Sequence, residues 1–397
     1  MSETKHDKQM TAPDARYDAI VIGAGVIGLT IGWRLAQRGL ATVVLDAHEP
    51  AAGATGVAAG MLAPVTEADF GEERLIELNL AAARDYPAFV AELEAETGMT
   101  TGYRATGTIT VAVDRDQVEE LRRLHAFHQS LGLCADWLPA RQCRKLEPGL
   151  STRVAGGVLA PEDHQVSPRA LAAALASALE RSGGMLRTSA HVASLVIEAD
   201  QVRGVELESG AELWARQVVA ATGARSADLG GLPSDARVPV RPVKGQILRL
   251  RGAPEAPVAS RVIRTPEVYA VPRADGRVIV GATVEERGFD RSVTAGGVLE
   301  LLWRAYEAIP GITELELLAA SAGLRPGTPD NGPIVGESEV AGLVWATGHW
   351  RNGVLLAAST ADAVVELVTD GELPEAFRAF SPERFARAAL AIEGGAR

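Results

Sequence analysis

The 397-residue chain carries 39 Lys and Arg against 51 Asp and Glu, a formal net charge of −12, with both signs interleaved and 47% hydrophobic residues. This length allows two or three domains around a cofactor cleft, and the composition is that of a globular chain rather than a disordered one. The acidic balance, with no long Lys/Arg run, argues against a nucleic-acid partner, which calls for a basic face.

Residues 1–16 (MSETKHDKQMTAPDAR) are polar and lack the apolar core of a signal peptide, so they read as a loose extension of a cytoplasmic protein. The apolar stretch from Ala19 to Ala36 holds four glycines and an arginine and fits strand, turn and helix better than a membrane span. Asp18–Ile22 is a buried-strand pattern, Val26–Arg38 has helical spacing and Ala41–Leu45 is a second buried strand. Together they form a βαβ unit and imply a parallel sheet covered on both faces.

Further on, Tyr103–Val113 is β-rich and Gln117–Leu131 helical. His125 and His128 are expected on the surface face of that helix. Cys134 and Cys143 show no CxxC spacing, and the histidines fit no metal or triad pattern, so reduced thiols and no metal are expected. A hairpin is expected across Ala193–Leu213, then a strand at Gln217–Ala221 closing in Thr222-Gly223. Gln246–Leu250, Val268–Pro272 and Val278–Thr283 are β-rich, and Val298–Ala308 is helical. Gly342–Thr347 is a last buried strand, with a turn from Gly348 to Gly353 and a helix beginning near Gly353. The nucleotide fold is thus assembled from separated segments around an inserted α+β domain.

The chemistry begins in the first turn. Gly23-x-Gly25-x-x-Gly28 lies between a strand and a helix, where side chains would obstruct the turn, a diphosphate or the helix packing. Asp46, eighteen residues beyond Gly28, stands where an acid accepts hydrogen bonds from ribose hydroxyls. The small-residue run at 53–64 (GATGVAAGMLAP) suits close approach of backbone to a ligand. A helix end near Gly353 would stabilise negative charge on a reduced flavin. Gly323 before Arg325 and Pro326-Gly327 after it suggest a rigid turn that holds a functional arginine.

With the blocks VAATG at 219–223, VKG at 243–245, YAVPR at 269–273, VGAT at 280–283, AGLRPGT at 322–328 and GHWRNGVL at 348–355, the chain resembles the D-amino-acid oxidase family. The resemblance runs from about residue 17 to residue 380 and is strongest to the glycine-oxidising branch that serves bacterial thiamine biosynthesis. It implies a Rossmann-like FAD-binding α/β domain (17–80, 150–235 and 320–375) and a substrate domain on a mixed antiparallel sheet (81–149 and 236–319). Non-covalent FAD would be held by Gly23, Gly25, Val26, Ile27, Gly28, Asp46, Ala47, Ala54, Thr55, Ala59, Gly60, Met61, Val192, Thr222 and Gly223. The second flavin segment would be Gly348, His349, Trp350, Arg351, Asn352, Gly353, Val354 and Leu355.

By the same resemblance Arg325 and Tyr269 would hold a substrate carboxylate, with Arg351 beside the substrate or the flavin. The implied reaction is oxidative deamination of glycine, sarcosine or small D-amino acids with O2 as acceptor, in a homo-oligomer. A D-amino-acid or sarcosine dehydrogenase with a non-O2 acceptor is the redox alternative, and a non-catalytic FAD-binding protein the alternative of another class. Glu267 departs from the family pattern, where several relatives have histidine two residues before the tyrosine; an acid there is favourable only if it points away or meets an ammonium group.

Overall fold

The computed structural model describes residues 17–385 and consists of two large sheets with the helices packed around them. The first sheet runs in the order Ile334–Glu337, Leu343–Thr347, Glu212–Ala220, Tyr17–Ile22, Thr42–Leu45, Met185–Arg187. Its strands pair in parallel except Ile334–Glu337, which runs antiparallel to Leu343–Thr347. Val192–Glu198 and Gln201–Leu207 extend it as an antiparallel meander off Glu212–Ala220. The Tyr17–Ile22 strand is apolar because it is central and covered on both faces.

Helix Val26–Gln37 is buried along most of its length between helices Pro168–Arg181 and Ala357–Asp370. That explains why its sequence is hydrophobic all round rather than along one stripe. The C-terminal helix starts at Ala357, four residues later than expected. The intervening chain is taken up by turns in which Asn352 N–H donates to the His349 carbonyl and Leu356 N–H to the Asn352 carbonyl, both at 2.8 Å.

The second sheet is mixed and runs Glu316–Gly327, Arg241–Arg251, Arg277–Gly281, Tyr269–Pro272, Val262–Arg264, Thr108–Ala112, Gly156–Ala160, Asp136–Pro139. All its neighbours are antiparallel except Val262–Arg264 with Thr108–Ala112. Gly156–Ala160 and most of Glu316–Gly327 lie in segments expected with the FAD domain, yet both hydrogen-bond into this sheet. AGLRPG is therefore the end of a twelve-residue strand and not a turn. Pro326 is tolerated because its strand is at the sheet edge; its cross-strand partner Pro242 lies near the start of Arg241–Arg251, outside the stretch 247–251 that pairs with Arg277–Gly281.

The 25-residue helix Glu73–Thr97, with Pro87 inside it, is a further element absent from the sequence expectations. His128 is buried rather than on a surface face, with Nε2 3.2 Å from the Ala68 carbonyl, and burial lowers its pKa. No helix among the described residues is long and apolar enough to cross a membrane.

Candidate active site

The carboxyl ends of four parallel strands meet at one edge of the first sheet, the place where open α/β sheets bind ligands. Ile22 leads into Gly23, Leu45 into Asp46, Ala220 into Thr222-Gly223, and Thr347 into Gly348. Gly23 N–H donates to the Leu45 carbonyl at 2.7 Å and Ala221 N–H to the Ile22 carbonyl at 2.9 Å, which locks three of these ends together. Ser226 Oγ and Thr347 Oγ1, 2.6 Å apart, tie in the fourth.

The first turn fits a dinucleotide. A Cβ on Gly28 would stand 1.9 Å from the Gly23 carbonyl oxygen, whereas one on Gly25 would meet only Thr55 Oγ1, at 3.4 Å. Gly25 at the N-cap offers no capping side chain and the first turn holds no acid, so no charge of the helix itself complements its positive end, which suits an anion. Val26 N–H donates to Thr55 Oγ1 at 3.0 Å, which brings Ala54 and Thr55 next to this end. Asp46 is held by Ala24 N–H at 2.7 Å and His48 N–H at 2.9 Å, and a carboxylate so held still has lone pairs for ribose hydroxyls. Ala47 follows it. Ala190 N–H donates to the Asp46 carbonyl at 2.8 Å, so the chain leading into Val192 passes this acid.

Ala59, Gly60 and Met61 continue from the one-turn helix Ala54–Val57 to the interface between the sheets. Ala59 is buried, Gly60 adopts φ +76°, and Met61, like Val57, Tyr269 and Ala282, packs against the buried cluster of Ala59, Ile247, Val262, Val271 and Ile279. In the other segment Gly348 has φ +72° and Trp350 φ +47°, while Asn352, Val354 and Leu355 are buried. The His349 ring is turned into the helix, with Nε2 3.0 Å from Thr360 Oγ1, and burial lowers its pKa to about 3. Its side chain is therefore neutral and structural, leaving only its main chain for a ligand.

Across the second sheet a row of side chains faces this edge. Arg325 lies over Gly245, where a Cβ would stand 2.4 Å from Nη1, and Tyr269 lies over Gly281, where a Cβ would stand 2.6 Å from the hydroxyl. These two strand glycines open the space in which the guanidinium and the phenol lie along the sheet. Arg325 Nη1 donates to the Thr283 carbonyl at 3.1 Å, and the Trp350 ring lies 5.9 Å from the guanidinium carbon. Tyr269 is in turn the cross-strand partner of Arg264.

Glu67 closes the row. It pairs with Arg264 on one oxygen and with Arg351 Nε at 2.7 Å on the other. Burial alone would raise its pKa, but Arg264 and Arg351 outweigh burial and hold it below the usual carboxylate range. Burial raises the Tyr269 hydroxyl against the lowering effect of Arg325, so it stays a protonated donor at neutral pH. Asp163 fixes the segment before Glu67, accepting from Val65 N–H at 3.0 Å and Thr66 N–H at 2.8 Å.

Arg325, Tyr269 and Arg351, expected at one site, thus come together. Glu267 points away, 2.9 Å from Arg304 and 3.3 Å from Gln117. Arg264, Glu67, Gly245 and Gly281 were not singled out as site residues; nothing in the spacing around Glu67 or Arg264 marks them, whereas both glycines lie inside quoted blocks.

A family model described as "DAO: FAD dependent oxidoreductase" matches residues 18–367. The chain is 36% identical over 355 residues to the glycine oxidase of Geobacillus kaustophilus (strain HTA426), covering 89% of this chain and 93% of that protein. It is 37% identical over 375 residues to the bifunctional protein ThiO/ThiG of Trichormus variabilis, covering 94% of this chain and 56% of that one. It thus spans about half the length of that bifunctional relative. The crystal structure of glycine oxidase from Geobacillus kaustophilus superposes with a TM-score of 0.85 at 34% identity, covering 92% of this chain and 98% of the other.

Proposed function

The chain belongs to the DAO family of FAD dependent oxidoreductases and is an FAD-dependent amine oxidoreductase, and from that premise we propose that it oxidises glycine with O2 as the electron acceptor. The observation that carries the reading is the Arg325 and Tyr269 pair laid over Gly245 and Gly281, opposite the segment that ends at Met61. A guanidinium fork and a protonated phenol side by side suit one small carboxylate.

In this reading the turn Gly23–Gly28 holds the FAD diphosphate, Asp46 a ribose, and the segments 54–61 and 348–355 the flavin. The chemistry FAD supplies when bound is acceptance of two electrons from the substrate carbon and their delivery to O2. Arg325 fixes the carboxylate, Tyr269 donates a hydrogen bond to it, and Arg351 borders the same space. Glu67 has both oxygens on guanidinium groups and is held anionic, so it takes no proton at neutral pH. Catalysis rests on orientation of a neutral amine rather than on a general base. The products balance as glycine, O2 and water giving glyoxylate, ammonia and hydrogen peroxide, with sarcosine and small D-amino acids as slower substrates. The place of relatives named ThiO makes supply of the imine to thiamine synthesis the accompanying proposal.

The test is peroxide formation under air with glycine, sarcosine and D-alanine. Stoichiometric peroxide with glycine supports the oxidase; substrate oxidation that proceeds only with a quinone or dye acceptor points to a dehydrogenase instead.

A further inference from the structure

Beside segment 54–61 four arginines gather, and their hydrogen bonds go to neutral oxygens. Arg249 Nη2 donates to the Gly56 carbonyl at 2.6 Å and Arg169 Nε to the same oxygen at 2.9 Å. Arg273 donates through Nη2 to the Ala59 carbonyl and through Nη1 to Gln165 Oε1 at 2.8 Å. Arg104 Nη1 donates to the Pro272 carbonyl at 2.9 Å, and Arg249 Nη1 to Ser321 Oγ at 3.0 Å. Asp275, the acid whose charge reaches Arg273, is itself paired with Arg277 at 2.6 Å.

This concentration of charge is costly. Burial first, and neighbouring arginines second, lower both Arg249 and Arg273 to about 10. Of the four only Arg249 is buried, and among the described residues none is ion-paired with a carboxylate, although Asp275 offsets part of the charge on Arg273. The carbonyls they cap belong to planar trans peptides, so the N–H groups of Val57 and Gly60 at the other ends of those units point away from the guanidinium groups. A carbonyl bonded to a cation polarises its peptide and makes that N–H a stronger donor. The Gln165 amide that orients Arg273 is fully buried, and its strand pairs Gln165 with Met61.

We propose that Arg249, Arg273 and Arg169 form a cationic seat that stabilises negative charge on reduced FAD, acting through the Gly56 and Ala59 peptide units of the segment beneath it. The inference rests on the reading that segment 54–61 faces the flavin. These are positioning residues, since they act through the backbone and touch neither cofactor nor substrate.

The experiment compares FAD-loaded wild type with Arg249→Gln, Arg249→Lys, Arg273→Gln and Arg273→Lys, together with the more exposed Arg169→Gln in case the buried variants fold poorly. Two quantities are measured besides activity: the dissociation constant for sulfite, read from bleaching of the flavin band, and the two-electron potential by dye equilibration. The Gln variants should bind sulfite at least about tenfold more weakly, with a potential lower by about 30 mV per tenfold change in the two-electron equilibrium. The Lys variants should stay near wild type. Gln variants that keep full FAD and wild-type values overturn the proposal, as does an equal effect of Lys and Gln. A wild type that carries no FAD overturns the flavin reading itself; a yellow wild type matched by its Gln variants overturns only this inference.

Discussion

Arg325 shows how far a single residue can be read from its neighbours in sequence. The block AGLRPGT marked it, but its function depends on Gly245, eighty residues earlier, which leaves room for its guanidinium. Arg325→Lys keeps the charge and loses the fork. The expected loss is that of one charge-assisted hydrogen bond, about 1.5–3 kcal/mol, hence a fall in kcat/KM of roughly 10- to 100-fold with FAD content unchanged. Steady-state kinetics on protein of known FAD content check this; a wild-type kcat/KM would make Arg325 structural. His349 gives a pH prediction. Its folded pKa of about 3 lies below that of an unfolded histidine, so as pH falls below about 6.5 the unfolded chain takes up a proton that the folded chain refuses. Stability is then lost on acidification, at up to roughly 1.4 kcal/mol per pH unit. His349→Gln should flatten that slope between pH 6.5 and 5 in urea unfolding; parallel slopes for variant and wild type would show that His349 titrates normally.

At the scale of elements, the parts of the site that lie within one strand-turn-helix unit were legible, and those assembled across strands were not. Gly23–Gly28 and Asp46 are local, fixed by one turn and the end of one strand. The proposed substrate floor joins Arg325, Gly245, Gly281, Tyr269 and Arg264 from five neighbouring strands, and no periodicity in any one strand reveals the register that aligns them. The edge strand Glu316–Gly327 was obscured for a similar reason. Its Gly and Pro read as turn residues locally, but pairing with Arg241–Arg251 overrides that preference. Two glycine substitutions should separate the two ends of the site. Gly28→Ala places a methyl 1.9 Å from the Gly23 carbonyl and should abolish FAD retention. Gly281→Ala, whose methyl meets the Tyr269 hydroxyl at 2.6 Å, should keep FAD and raise KM for the amino acid. Flavin absorbance per protein and KM distinguish them; FAD loss in both would mean that the second sheet also builds the cofactor site.

For the whole molecule, the fold brings the helix end at Val26 and the proposed carboxylate-binding floor of the second sheet to segment 54–61, whose Thr55 accepts from Val26 N–H and whose Met61 packs against the same cluster as Tyr269. The sheets are tied at Glu67, which reaches Arg264 on one side and Arg351 on the other, and at Arg249 and Arg273, which reach Gly56 and Ala59. Chemistry at their junction therefore depends on both sheets at once, and the central claim is that glycine delivers electrons to FAD there. Anaerobic titration of the purified protein with glycine, followed by the visible flavin absorbance, tests this most directly. Bleaching by glycine in wild type, and its loss in an Arg325→Ala protein that retains FAD, is the predicted result. A flavin band that glycine, sarcosine and D-alanine all leave unchanged would contradict it.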